Sequence, residues 1–113
     1  GAGLSRLEQE DKMVWATLTL ADRKEIGYHG NDDANLINIL ASIENHPVAL
    51  VFVEQPKGFV KVSWRARGEA WNVAKVAENF GGGGHRAAAG AMIKGSLDEI
   101  KPRVLRATRE LFM

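Results

Sequence analysis

A chain of 113 residues supports one domain with a single core and is too short for two. Its formal charge of +1 provides no global field for a nucleic acid or a membrane surface, so any recognition of an anion has to be local. The absence of cysteine excludes disulfides and thiolate metal sites, and no apolar run approaches the roughly 18 residues of a membrane span. With no signal peptide visible either, a reducing, cytoplasmic setting is the expectation.

Residues 1–12 read as a lead-in, Gly1-Ala2-Gly3 resembling a cloning scar and the rest a polar, poorly periodic interdomain segment. The domain is expected over 13–113. From Met13, Val14, Ala16, Leu18 and Leu20 alternate with Trp15, Thr17 and Thr19, which predicts a strand with one buried face. A turn is expected over Ala21 to Lys24, and Ile26 to Tyr28 read as a short second strand. Asn31 or Asp32 caps a predicted helix with Leu36, Ile39, Leu40 and Ile43 on its inner stripe, and His46-Pro47 ends it.

Pro47 to Val53 reads PVALVFV, an apolar run suited to a central strand covered on both faces. Gln55-Pro56-Lys57-Gly58 supplies turn chemistry, and the alternating run Phe59 to Ala66 completes an antiparallel hairpin. On that second strand Val60, Val62, Trp64 and Ala66 share one face, leaving Phe59, Lys61, Ser63 and Arg65 on the other. Ser63 and Arg65 therefore point the same way, either as a phosphate ligand pair or as a plain solvated face.

Asn72 caps a second helix with Val73, Val76, Ala77 and Phe80 at amphipathic spacing. Gly81 to Gly90 then reads GGGGHRAAAG. Four glycines in a row cost conformational entropy, so the missing side chains need a reason. One reason is a nest of backbone N–H groups around an anion, with His85 and Arg86 as further donors; the other is a helix-ending turn. Ala89 to Ile93 is a last strand. Ser96 and Glu99 have capping-box spacing for a final helix carrying Leu97, Ile100, Val104, Thr108 and Leu111, which Pro102 either kinks or delays to about Lys101. The expected fold is α/β or α+β: a mixed, mostly antiparallel sheet with about three helices packed on it.

Several chemistries find no support. The lysine and hydroxyl of a Walker loop are missing after the glycines, and a dinucleotide fingerprint must follow a strand, where here a helix precedes it. The histidines, His29, His46 and His85, are scattered, so no metal site is expected, and no nucleophile elbow is present. Trp15, Trp64 and Trp71 are candidates for base stacking or for ordinary packing.

The stretch VKVSWRARGEAWNVAKVAENFGGGGHRAAAGA, Val60 to Ala91, resembles the C-terminal DHH-associated domain of the DHH phosphoesterase superfamily. Within it, the oligoribonuclease and phosphoadenosine-phosphate phosphatase branch is the most similar. The S-x-R strand, the amphipathic helix, the GGGH loop and the AAG tail stand in that family's order, and the similarity extends upstream to the strand near Val14. The resemblance implies a preceding DHH catalytic domain that holds Mn(II) and activates water, with this chain supplying substrate contacts and no metal ligand. Ser63 and Arg65, Gly82, Gly83 and Gly84, His85 and Arg86 would then contact a nucleotide or short RNA phosphate. Trp64 is larger than the aliphatic residue expected there, which leaves base stacking open. Alternatives are a non-catalytic nucleic-acid-binding module, like the related C-terminal domain of alanyl-tRNA synthetases, and a docking or homodimer-forming domain using exposed tryptophans.

Overall fold

The computed structural model describes residues 7–25, 27, 32–42 and 46–113. Its centre is β3 (Val48–Gln55), in which every residue from Val48 to Val53 is buried. A strand covered on both faces needs two apolar neighbours, and the flanking strands supply them. β2 (Met13–Leu18) runs parallel to β3, and β4 (Phe59–Ala66) pairs with it antiparallel, Val51 opposite Ser63. The hairpin between β3 and β4 turns through left-handed Lys57 and Gly58, with φ of 67° and 78°. β1 (Leu7–Glu10) lies outside β2, while β6 (Ala88–Lys94) and β5 (Gly83–His85) extend the sheet beyond β4. The strand order is β1-β2-β3-β4-β6-β5, and among the described strands only β2 and β3 are parallel.

Among the described residues four helices pack on this mixed sheet, one more than the three or so expected. α1 (Leu20–Glu25) and α2 (Asp32–Ala41) lie in the crossover from β2 to β3, α3 (Val73–Glu78) follows β4, and α4 (Leu97–Arg109) closes the chain with a 3-10 turn over Glu110–Phe112. The larger core lies between the sheet and α3 and α4, and includes Val60, Val62, Trp64 and Ala66. A one-residue slip of β4 would expose Val60, Val62 and Trp64, forfeiting roughly 5–9 kcal/mol of burial and placing Arg65 in the core. The Trp64 indole N–H donates to Thr108 Oγ1 at 3.0 Å, and Thr108 donates to Val104 O at 2.7 Å. This tryptophan is 1% exposed on the core face, so it belongs to packing and not to base stacking. Trp15 is also buried, its indole N–H donating to Glu8, while Trp71 packs edge-on against Phe112. The smaller core sits under α2 and takes sheet residues from β2 and β3 alone.

Several expectations need correction. Leu7–Glu10, read as lead-in, form an edge strand that α4 holds: Lys101 bonds Glu8 at 3.0 Å, and Arg109 holds both carboxylate oxygens of Glu10 at 2.7 and 2.9 Å. The Ala21–Lys24 turn is helix α1, started by Thr19 and Asp22, each accepting from the other's backbone N–H at 3.0 Å. On α2 the buried residues are Ile37 and Leu40, while Ile39 is 63% exposed. β2 is buried on both faces, not one. α4 starts at Leu97 with its capping box intact and runs through Pro102. Gly27, in the middle of the strand expected over Ile26–Tyr28, is a turn residue with φ of 66°, while Ile26, Tyr28, the Asn31 cap and Ile43 of the inner stripe lie outside the described residues.

Candidate functional site

β4 alternates strictly between buried and half-buried residues, which places Ser63 and Arg65 on the side away from α3 and α4, the side on which α2 packs. Register carries that face outward. Arg65 stands opposite Ala88, which stands opposite His85; Ser63 stands opposite Gly90, which stands opposite Gly83. Directly paired residues project to the same side of a sheet, so Ser63, Arg65, Gly83 and His85 share one face. Only a methyl group and a hydrogen lie between the two pairs. Two strand spacings set Arg65 and His85 about 10 Å apart at the backbone, a gap both side chains can reach into.

Arg65 Nε is buried and has no hydrogen-bond partner among the described residues. An unpaired buried donor on a cation is costly, by about 1–3 kcal/mol or more. The fork of donors on a guanidinium is matched to phosphate oxygens. His85 is exposed and offers a second donor across the shelf.

The glycine run is not a nest of free N–H groups at its start. Gly81 N donates to Glu78 O and Gly82 N to Ala77 O, at 3.2 and 2.9 Å, closing the end of α3. The run then enters strand β5, where its glycines have separable reasons. A Cβ on Gly82 would overlap Gly90 O and lie 2.6 Å from Ala91 Cβ. One on Gly84 would lie 2.5 Å from Ala88 O, on a backbone with φ of +145°. Both are glycines because β5 and β6 approach so closely. Gly83 differs: nothing lies within 4 Å of its Cβ position. No contact inside the described chain requires glycine there, and the vacant position belongs to the Arg65 and His85 face.

Arg86 is used differently from its neighbour. Its Nε donates to Glu69 O at 2.9 Å and stands 3.7 Å from Glu69 Oε2, while its own carbonyl accepts from Val73 N. It braces the 67–72 bend against the start of α3. Lys61, Met92, Phe59 and Lys94 continue this face beyond Ser63, a feature the alternation of both strands already allows but which becomes visible only with the β4–β6 register. Among the described residues no group of three or more His, Asp or Glu stands close enough to hold a metal ion. No helix among them is long and apolar enough to cross a membrane.

Residues 10–112 match the DHHA1 domain family. The chain is 43% identical over 65 residues to the bifunctional oligoribonuclease and PAP phosphatase NrnA of Mycoplasma pneumoniae, a match covering 58% of this chain and 19% of that protein. The chain thus spans about a fifth of that curated relative. Among solved structures, an exopolyphosphatase-related protein from Bacteroides fragilis superposes with a TM-score of 0.80 at 23% identity, over 97% of this chain and 34% of that one. The C-Ala domain of Aquifex aeolicus alanyl-tRNA synthetase superposes with a TM-score of 0.59 at 15% identity, over 93% and 96% of the two chains. At these identities the two structures share the fold.

Proposed function

The chain belongs to the DHHA1 domain family, and from that premise we propose that it is the substrate-binding domain of a DHH-type phosphoesterase acting on nucleotides or short RNA. A matched relative is named an oligoribonuclease and PAP phosphatase, so the family setting is phosphoester hydrolysis. The observation that carries the reading is Arg65: a guanidinium with a buried, unpaired Nε, half-buried on the face of the sheet it shares with the exposed His85. Arg65 binds and neutralises a substrate phosphate, Ser63 adds a hydroxyl beside it, and His85 contacts the same phosphate from the glycine side. Gly83 leaves room for the ligand, Gly82 and Gly84 hold β5 against β6, and Arg86 braces the loop.

The family's Mn(II) has no fitting ligand set among the described residues, and we assign it to a DHH domain preceding this one in the complete protein. The roles left to this chain are binding, orientation and charge neutralisation. In the complete phosphoesterase, Arg65→Ala or His85→Ala is expected to lower kcat/KM for a 5′-phosphorylated dinucleotide by about 1.5–3 kcal/mol, the worth of a charged hydrogen bond. Wild-type kinetics in both variants would refute the assignment. Preferential binding of tRNA over a dinucleotide would instead support a non-catalytic module of the C-Ala kind.

A further inference from the structure

β1 has one neighbour in the sheet, β2, and none of its four residues is buried. Apolar packing therefore does not hold it; the ladder to β2 and a few side-chain bonds do. Its two ends are fastened differently. At the closed end Asp11 and Lys12 turn the chain into β2, Val48 N donates to Lys12 O at 3.3 Å, and Arg109 takes both oxygens of Glu10. At the open end Leu7 is 41% exposed, and Glu8 is the fastening: its Oε1 accepts from Lys101 Nζ at 3.0 Å and from the Trp15 indole N–H at 3.2 Å. A domain that precedes this one joins the chain at that open end, and at the edge of the sheet remote from the phosphate face. β1 stands three strands from β4 and five from β5, about 14 and 24 Å at the usual strand spacing. A catalytic centre on the preceding domain has to cross that width to meet a phosphate on Arg65. Released from β2, the four residues of β1 would add up to about 13 Å of slack to the connection. That slack nearly equals the distance from β1 to β4.

We propose that Glu8 and Lys101 are positioning residues for the hydrolysis: by fastening the open end of β1 to α4 they fix where the connection leaves this domain, and so hold the preceding domain's catalytic centre over the Arg65 phosphate. The inference rests on the functional reading above. Neither residue touches substrate, because the bond to α4 lies on the side of the sheet away from Arg65. Effective concentration between two tethered sites falls as the reach of the tether exceeds the span it has to cover. A reacting group held out of place loses rate while the phosphate keeps its own contacts. The Lys101 side chain is 26% exposed, so its bond to Glu8 is less screened than one in open solvent. An exposed ion pair shifts an equilibrium by at most about fivefold, and reversing one charge adds repulsion to the lost attraction, so a three- to tenfold effect is expected.

The test is a charge swap in the complete phosphoesterase, with Glu8→Lys, Lys101→Glu and the double variant compared by kinetics on a 5′-phosphorylated dinucleotide. Energy transfer between a label on the preceding domain and one at Arg106→Cys, on the exposed side of α4, reports the interdomain distance. Each single variant should broaden that distance and lower kcat roughly three- to tenfold, with KM within about twofold of wild type. The double variant, its charges exchanged, should recover the distance and bring kcat to within about twofold of wild type. Adenosine 3′,5′-bisphosphate should bind this domain alone equally well in all four forms. Unchanged kcat and distance in both single variants, losses that multiply in the double variant, or weaker binding of the bisphosphate by the domain alone would overturn the positioning role. Each of these leaves the phosphate site standing. If Arg65→Ala leaves dinucleotide kinetics unchanged, the functional reading itself fails, and the positioning role with it.

Discussion

Alanine at position 83 is expected to leave the fold intact and to weaken anion binding. The Cβ it adds meets no atom within 4 Å, and Gly83 is absent from the positive-φ glycines, so neither clash nor backbone strain opposes it. Reduced freedom of the unfolded chain even favours it, by about 0.4–1 kcal/mol. Alanine at 82 or 84 is a different perturbation. At 82 the new carbon overlaps Gly90 O and crowds Ala91; at 84 it lies 2.5 Å from Ala88 O and 2.7 Å from Ala89 Cα, on a left-handed backbone. Those obstacles are backbone atoms that cannot rotate away, and overpacking of this kind costs roughly 1–3 kcal/mol or more. Denaturant unfolding of the three variants, paired with titration by adenosine 3′,5′-bisphosphate, separates the cases. Gly83→Ala should unfold within about 0.5 kcal/mol of wild type or slightly above it and bind at least tenfold more weakly, while Gly82→Ala and Gly84→Ala lose stability first. Undiminished binding in Gly83→Ala would refute the reasoning, because the space above that glycine would then have no guest.

Thr108→Val should lower the melting temperature by roughly 5–10 °C, since it strands the Trp64 N–H in the core at a cost of about 1–3 kcal/mol; an unchanged melting temperature would contradict that bond. The Glu10 carboxyl is held below its usual range by hydrogen bonding to Arg109, against an opposing contribution from burial. A depressed folded pKa contributes stability above the unfolded value and loses it as pH falls through the folded one. Glu10→Gln should therefore cost at most about 1 kcal/mol at neutral pH, the pair being partly exposed and screened, and the gap to wild type should close below about pH 4 in thermal melts. Arg86→Ala should speed amide exchange over residues 67–72 while weakening phosphate binding much less than Arg65→Ala does; equal losses would make Arg86 a ligand contact.

What could be read from the amino acids alone divides along physical lines. The period-two run ending at Ala66, the apolar run Val48 to Val53 and the Ser96–Glu99 capping box declare themselves because each is local and satisfied by near neighbours. β1 is hidden because Glu8 and Glu10 find their partners, Lys101 and Arg109, only at the far end of the chain. Helix α1 is a single reciprocal cap on six residues, too short for periodicity. On α2, Leu36, Ile37, Ile39 and Leu40 are apolar around most of the circumference, and the sheet, not the pattern, decides that Ile37 goes inward and Ile39 out. β5 has almost no strand propensity; Gly83 and Gly84 join the sheet because Ala88 to Gly90 opposite them are small. The shared face of Ser63 and Arg65 followed from alternation, but its continuation to His85 needed the pairing through Ala88 and Gly90. The division of the glycines into packing and vacant positions required coordinates.

The central claim is that Arg65 and His85 hold the same phosphate, and a double-mutant cycle measures it. Dissociation constants for adenosine 3′,5′-bisphosphate are needed for wild type, Arg65→Ala, His85→Ala and the double variant. Two side chains on one anion should couple by about 0.5–3 kcal/mol, so the double variant should bind less weakly than the sum of the single losses predicts. Losses that add to within about 0.3–0.5 kcal/mol would place the two residues on separate groups and contradict the account.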